Sequence, residues 1–196
     1  MAIAEKEMLR KLHKAKKLHD EMVERGSMPA IVTYNAMING LCKERRLPEA
    51  NSLLNEMVER GLVPDYVTIT TLIDGYCKEG YVEKALTLFN EMLERLLKPD
   101  TVTYNALING FCKEGNMEKV KELWNAMVEK NIFPNHVTYS IFIDELCRKG
   151  DFVEAFRLHE EMSEKGITPN VVINNSMING LCRAGDVYKA EELIKE

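Results

Sequence analysis

Apolar residues recur along the chain in two alternating helical registers. Tyr34, Met37, Ile38, Leu41 and Cys42 stand at i, i+3, i+4, i+7 and i+8, which is one apolar face of an α-helix. Leu47, Ala50, Leu53, Leu54 and Met57 follow with the same 3.6-residue spacing after a short polar break. The pattern then starts again, with Leu72, Ile73, Tyr76 and Cys77, and again with Leu107, Ile108, Phe111 and Cys112. No stretch can bury its own apolar face, so the spacing predicts helix pairs that stack on their neighbours.

Punctuation keeps the same step. Gly80, Gly115, Gly150 and Gly185 stand just past the first helix of successive copies, where a left-handed residue ends a helix. The first copy has Arg45 there, with Pro48 soon after to open the second helix. Gly61 and Gly166 precede Pro64 and Pro169 between copies, whereas Leu96 and Asn131 replace that glycine, so those two turns are expected to be strained or differently shaped. Small residues at Ala50, Ala85, Ala155 and Ala190, with Val120 as the exception, mark close helix approaches.

Five cysteines (Cys42, Cys77, Cys112, Cys147, Cys182) and five prolines (Pro29, Pro64, Pro99, Pro134, Pro169) fall 35 residues apart. A strict period of this length means one supersecondary unit copied head to tail. The units are 31–65, 66–100, 101–135, 136–170 and a shortened 171–196, preceded over 1–30 by a capping helix and partial repeat. The expected fold is an all-α solenoid of 35-residue helix–turn–helix repeats. Cysteines in equivalent slots lie a repeat apart, beyond the Cα separation of about 4.4–6.8 Å that a disulfide needs. With no Cys-x-x-Cys pair to suggest zinc, they are expected to be buried apolar thiols.

Composition narrows the function. A 45% hydrophobic content supports a continuous core, and no apolar run reaches the roughly 18 residues of a membrane span. His159-Glu160-Glu161 is followed by Ser163 where a zinc protease needs its second histidine. Trp124 takes the slot of Leu54 and Phe89 and reads as core. No phosphate loop or nucleophile–base constellation is visible, so no enzyme, cofactor or metal is expected. The net charge of −5 opposes nucleic-acid binding as a whole-chain property, but the acids gather on second helices.

The unit Val-Thr-Tyr-Asn-x-Leu-Ile-x-Gly-x-Cys-Lys-x-Gly, clearest at Val102–Gly115, continues into Ala-x-x-Leu-x-x-x-Met and Gly-x-x-Pro-Asp. It resembles the pentatricopeptide repeat, in particular P-class, restorer-of-fertility-like members, over residues 12–196. The resemblance implies a right-handed superhelix whose first helices line a groove for single-stranded RNA, read one base per repeat. It also implies the base-reading pairs: Asn35 with Asp65, Thr70 with Asp100, Asn105 with Asn135, Ser140 with Asn170, and Asn175 with a partner past the chain. In the family these pairs favour U, G, C over U, and A, giving a core site 5′-U-G-(C/U)-A-3′.

Each of these positions also has a plain structural reading. Asp65, Asp100, Asn135 and Asn170 are ordinary helix caps by type and place. Val32, Val67, Val102, Val137 and Val172 either pack the helix starts or, as the resemblance implies, clamp each base between neighbouring repeats. Lys43, Lys78, Lys113, Arg148 and Arg183 either complement the first helix's dipole or contact one phosphate per repeat. If all five do the latter, log K falls against log salt with a slope of about −3.5.

The function expected is therefore sequence-specific, non-catalytic binding of single-stranded RNA, with no membrane partner. A peptide- or protein-binding scaffold of tetratricopeptide type is the alternative, and uncapped array ends offer a route to self-association. The flush copies also suit a designed or excised array. The family resemblance implies a mitochondrial or chloroplast setting. The opening residues carry no targeting pattern, so the chain as given is expected in the cytoplasm.

Overall fold

A computed structural model describes residues 30–195, together with Arg10, Lys14, Lys16, Lys17 and Glu21. The capping helix and partial repeat expected over 1–30 lie, apart from those positions and Ala30, outside the described residues. The chain divides after Pro99 into two compact units. The first holds α1 (Ile31–Lys43), α2 (Leu47–Glu59), α3 (Tyr66–Lys78) and α4 (Val82–Glu94). The second holds α5 (Thr101–Glu114), α6 (Met117–Glu129), α7 (His136–Lys149), α8 (Phe152–Glu164), α9 (Val171–Ala184) and α10 (Val187–Lys195). Among the described residues there is no strand.

Helices form where the apolar periodicity demands them. Tyr34, Met37, Ile38, Leu41 and Cys42 are the buried face of α1, and Leu47, Ala50, Leu53 and Met57 that of α2. Within each copy the two helices pack as an antiparallel hairpin, α1 on α2, α3 on α4, α5 on α6, α7 on α8 and α9 on α10. Between copies, first helix packs on first helix: α1 on α3 in the first unit, α5 on α7 on α9 in the second. The result is an α-solenoid in which first helices form a continuous layer within each unit. Ala50, Ala85, Val120, Ala155 and Ala190 are all buried.

Both turn types repeat in backbone terms regardless of residue. After α2, the Gly61 N–H donates to the Val58 carbonyl at 2.9 Å and the Leu62 N–H to that of Met57 at 3.0 Å. Leu96 and Asn131 make the same pair of bonds with φ of 58° each. These two turns are therefore strained and not differently shaped, and for Leu96 the left-handed conformation costs about 1–2 kcal/mol. Arg45, at φ 59°, replaces the usual glycine after α1 in the same way.

Cys42 and Cys147 stand against the next repeat of their own unit. A Cβ added to Gly75 would stand 2.8 Å from Cys42 Sγ, and one added to Gly180 would stand 2.9 Å from Cys147 Cβ and 2.9 Å from Phe152 Cε1. A small residue on each side lets first helices close up. Gly180→Val is expected to cost about 1–3 kcal/mol by overpacking, measured by urea denaturation; a loss below a few tenths would mean that the seam yields freely. Cys42, Cys77, Cys112 and Cys147 are buried thiols as expected, but Cys182 is exposed. The correction has a simple cause: among the described residues no further first helix follows to cover α9. Burial pushes the Cys42 and Cys147 thiols up to about 11, which keeps them protonated and inert near neutral pH.

Candidate nucleic-acid interface

The last residue of each repeat begins the next first helix. Asp65, Asp100, Asn135 and Asn170 are N-caps of α3, α5, α7 and α9, with side chains accepting from backbone N–H groups of the first turn. Thr68, Thr103 and Thr138 complete capping boxes by accepting the cap residue's own N–H. That is why Thr follows Val in the repeated motif, a role the sequence pattern alone did not reveal. The capping reading is thus correct, and it determines what the side chains have left to offer.

The first pair is in contact. Asn35 Nδ2 donates to Asp65 Oδ1 at 3.1 Å across 30 residues of sequence, and the Thr68 hydroxyl donates to Asn35 Oδ1 at 2.6 Å. Burial acts to raise the Asp65 pKa, but the Thr68 N–H, the Thr68 hydroxyl and the Asn35 amide together hold it below its usual value. Asp65 is therefore an ionised acceptor that already takes hydrogen bonds from the Thr68 N–H and the Asn35 amide.

The remaining positions differ in detail. Thr70 is buried in the first unit, and Asp100 caps α5 in the second. In the second unit Asn135 and Asn170 each spend Oδ1 on two backbone N–H groups, leaving the amide Nδ2 as the group on offer. Asn105 is half-buried and its Oδ1 is enclosed without a hydrogen-bond partner. Ser140 is half-buried and Asn175 exposed. All five valines are exposed, from Val67 at 39% to Val32 at 77%, so they do not fill the core.

Two concavities in the second unit bring these classes together. One of about 350 Å³ is lined by Asn109, Lys113, Ser140, Glu145, Arg148 and Val172, among others. Another of about 200 Å³ is lined by residues that include Asp144, Arg148, Ser176, Asn179 and Arg183. A first-turn polar residue, a valine and the cation row thus share one face of the first-helix layer. Among the described residues no His, Cys, Asp and Glu cluster could hold a metal ion, and no helix is long and apolar enough to cross a membrane.

Two features of this face escaped the sequence reading, although the register carries both. Glu145 occupies the slot of Gly40, Gly75, Gly110 and Gly180. The position four before each cation reads Asn39, Asp74, Asn109, Asp144, Asn179. As a result Lys78 Nζ is bonded to Asp74 Oδ2 at 2.5 Å, and Arg148 Nη2 stands 3.1 Å from Glu145 Oε2.

Stacked helix hairpins at a fixed step, with first helices packed on first helices, define a helical-repeat protein. The PPR repeat family profile matches residues 29–78, 64–113, 99–148 and 141–183, with a PPR repeat at 175–196 and a pentatricopeptide repeat domain at 6–44. The chain belongs to the pentatricopeptide repeat family. No curated protein matches it. Among solved structures it is similar to the pentatricopeptide repeat protein PPR10 from maize, with a TM-score of 0.77 and 27% identity over 92% of this chain. PPR10 in complex with an 18-nt psaJ RNA element superposes with a TM-score of 0.80 at 28% identity, again over 92% of this chain. The chain spans 26% of the length of PPR10. The PPR domain of Arabidopsis thaliana protein-only RNase P 1, in complex with tRNA, shares the fold with a TM-score of 0.73 at 16% identity, over 91% of this chain and 93% of that one.

Proposed function

We propose that the chain binds single-stranded RNA without catalysis, one base per repeat, at a core site 5′-U-G-(C/U)-A-3′. The observation that carries this reading is the Asn35–Asp65 contact, which joins the first-turn residue of one repeat to the last residue of the same repeat on the first-helix layer. Capping explains the chemistry of the readout. Asp65 and Asp100 are acceptors and suit U and G, whose Watson–Crick edges carry an imino N–H. Asn135 and Asn170 spend their oxygens on the backbone and offer amide N–H groups, which suit the ring-nitrogen acceptors of C and A.

The exposed valines supply apolar surface on either side of such a base, the part that aromatic rings play in other single-strand binders. PPR10, in complex with an 18-nt RNA element, is a relative over 92% of this chain. Any chemistry on the bound RNA would come from partners.

Titration with single strands containing 5′-UGCA, with 5′-UACA controls and with the DNA equivalents, tests the reading. Equal affinity for all would remove the pairwise readout. Thr70→Asn is expected to move the second base from G toward U by about tenfold, the discrimination that one well-placed base contact supplies. An unchanged preference would overturn the register.

A further inference from the structure

The five in-register cations are not electrically equivalent. Lys43, Lys113 and Arg183 follow Asn39, Asn109 and Asn179 by one helical turn and have no carboxylate partner among the described residues. Lys78 follows Asp74 and is bonded to it. Arg148 follows Asp144 and is ion-paired with Glu145, whose side chain is 2% exposed and receives no hydrogen bond on either oxygen. Asp144 itself accepts from the Ser176 hydroxyl at 2.8 Å, so its charge is held on the same face as Arg148.

We infer that only alternate repeats grip the phosphate backbone, through Lys43, Lys113 and Arg183, while Lys78 and Arg148 are neutralised by carboxylates of their own helices. The inference rests on the RNA-binding reading above. An exposed i, i+4 pair such as Asp74–Lys78 is weak and can open. Opening it does not remove the carboxylate, which stays one turn away on the same helix, ready to pair again. The Asp74–Lys78 pair still carries no net positive charge, so a phosphate arriving there is not neutralised and releases no net counterion. At Arg148 the constraint is harder. Drawing the guanidinium away would leave the Glu145 carboxylate buried, unpaired and without a donor. Glu145 sits where the other copies have glycine, so this acid is a feature of the fourth repeat alone.

The salt dependence of binding reads the number of neutralised phosphates directly. At about −0.7 per phosphate on a single strand, three contacts predict a slope of log K against log salt of about −2.1, and five predict about −3.5. Between 50 and 200 mM salt that is about a 20-fold loss of affinity against about a 130-fold loss. Two isosteric exchanges move the count without touching a cation, and both place residues already present at this slot in other copies. Asp74→Asn unmasks Lys78 and is expected to steepen the slope to about −2.8. Asn109→Asp masks Lys113 and is expected to flatten it to about −1.4.

The measurement is fluorescence anisotropy of a labelled 5′-UGCA-containing single strand over that salt range. Far-UV circular dichroism verifies that each variant stays helical. A wild-type slope near −3.5, or slopes unmoved by both exchanges while UGCA is still preferred over UACA, would overturn this inference and leave the RNA reading standing. No binding of any single strand by any of the three proteins would overturn the RNA reading and this inference with it.

Discussion

Trp124→Ala is expected to lower the unfolding free energy by about 3–5 kcal/mol, the range for deleting a large buried aromatic side chain. Trp124 lies on α6 and is almost wholly buried. Its ring meets Tyr139 edge-on, with centroids 5.1 Å apart and planes at 79°, and Phe142 at 5.4 Å. Both partners are on α7, so the indole fastens a second helix to the first helix of the following repeat. In a linear array each repeat is held by its neighbours, and losing one such contact weakens every repeat that depends on that seam. Trp124→Phe, the residue type found at Phe89, is expected to cost much less. Urea denaturation followed by circular dichroism measures both, since the substitution removes the only tryptophan. A loss below about 1 kcal/mol for the alanine variant would show that the seam repacks.

Asp65→Asn is expected to change recognition without changing the fold. Asn135 and Asn170 already cap α7 and α9 with the same oxygen geometry, so an asparagine at 65 keeps the cap of α3. Stability near neutral pH should change by no more than about 0.5 kcal/mol, whereas Asp65→Ala should cost about 1 kcal/mol through loss of the cap. The group facing the first base turns from acceptor to donor, so preference there should move from U toward C by about tenfold. An unaltered first-base preference would place the readout elsewhere.

The same substitution carries a pH signature. The Asp65 carboxyl sits below its ordinary value of 3.8: burial opposes ionisation, but hydrogen bonds from Thr68 and Asn35 outweigh it. A depressed carboxylate stabilises the folded state above the unfolded pKa, and that contribution is lost as pH falls through the lower, native value. The wild type should therefore lose stability below about pH 4 more steeply than Asp65→Asn. Parallel acid limbs in urea midpoints from pH 6 to pH 2.5 would contradict this.

Much of the architecture was legible along the chain because its causes are local. Tyr34, Met37, Ile38 and Leu41 declare a helix face by spacing alone, and Gly80 or Gly115 declares its end by backbone sterics. Leu96 and Asn131 were expected to disturb their turns; the turns keep their shape because the flanking helices impose the bonding pattern on any residue placed there. The base-reading positions were found through resemblance to a family. Asp65, Asp100, Asn135 and Asn170 were equally good caps by residue type, and in the structure they are caps.

The chain by itself determined the period, the helices, the turns and the slots where residues vary, since each depends on groups within one or two helical turns of each other. Tertiary structure decided what those residues are free to do. Asn35 and Asp65 meet only because adjacent first helices stack, so the state of that carboxylate is a property of two repeats together. Cys147 is buried and Cys182 exposed, although they occupy the same slot, because burial is conferred by the neighbouring copy. Glu145 stands one turn from Arg148 on its own helix, and packing alone decides that its carboxylate is buried against that guanidinium. Desolvation is set by whatever packs alongside, and that reaches across distances a repeat pattern does not encode.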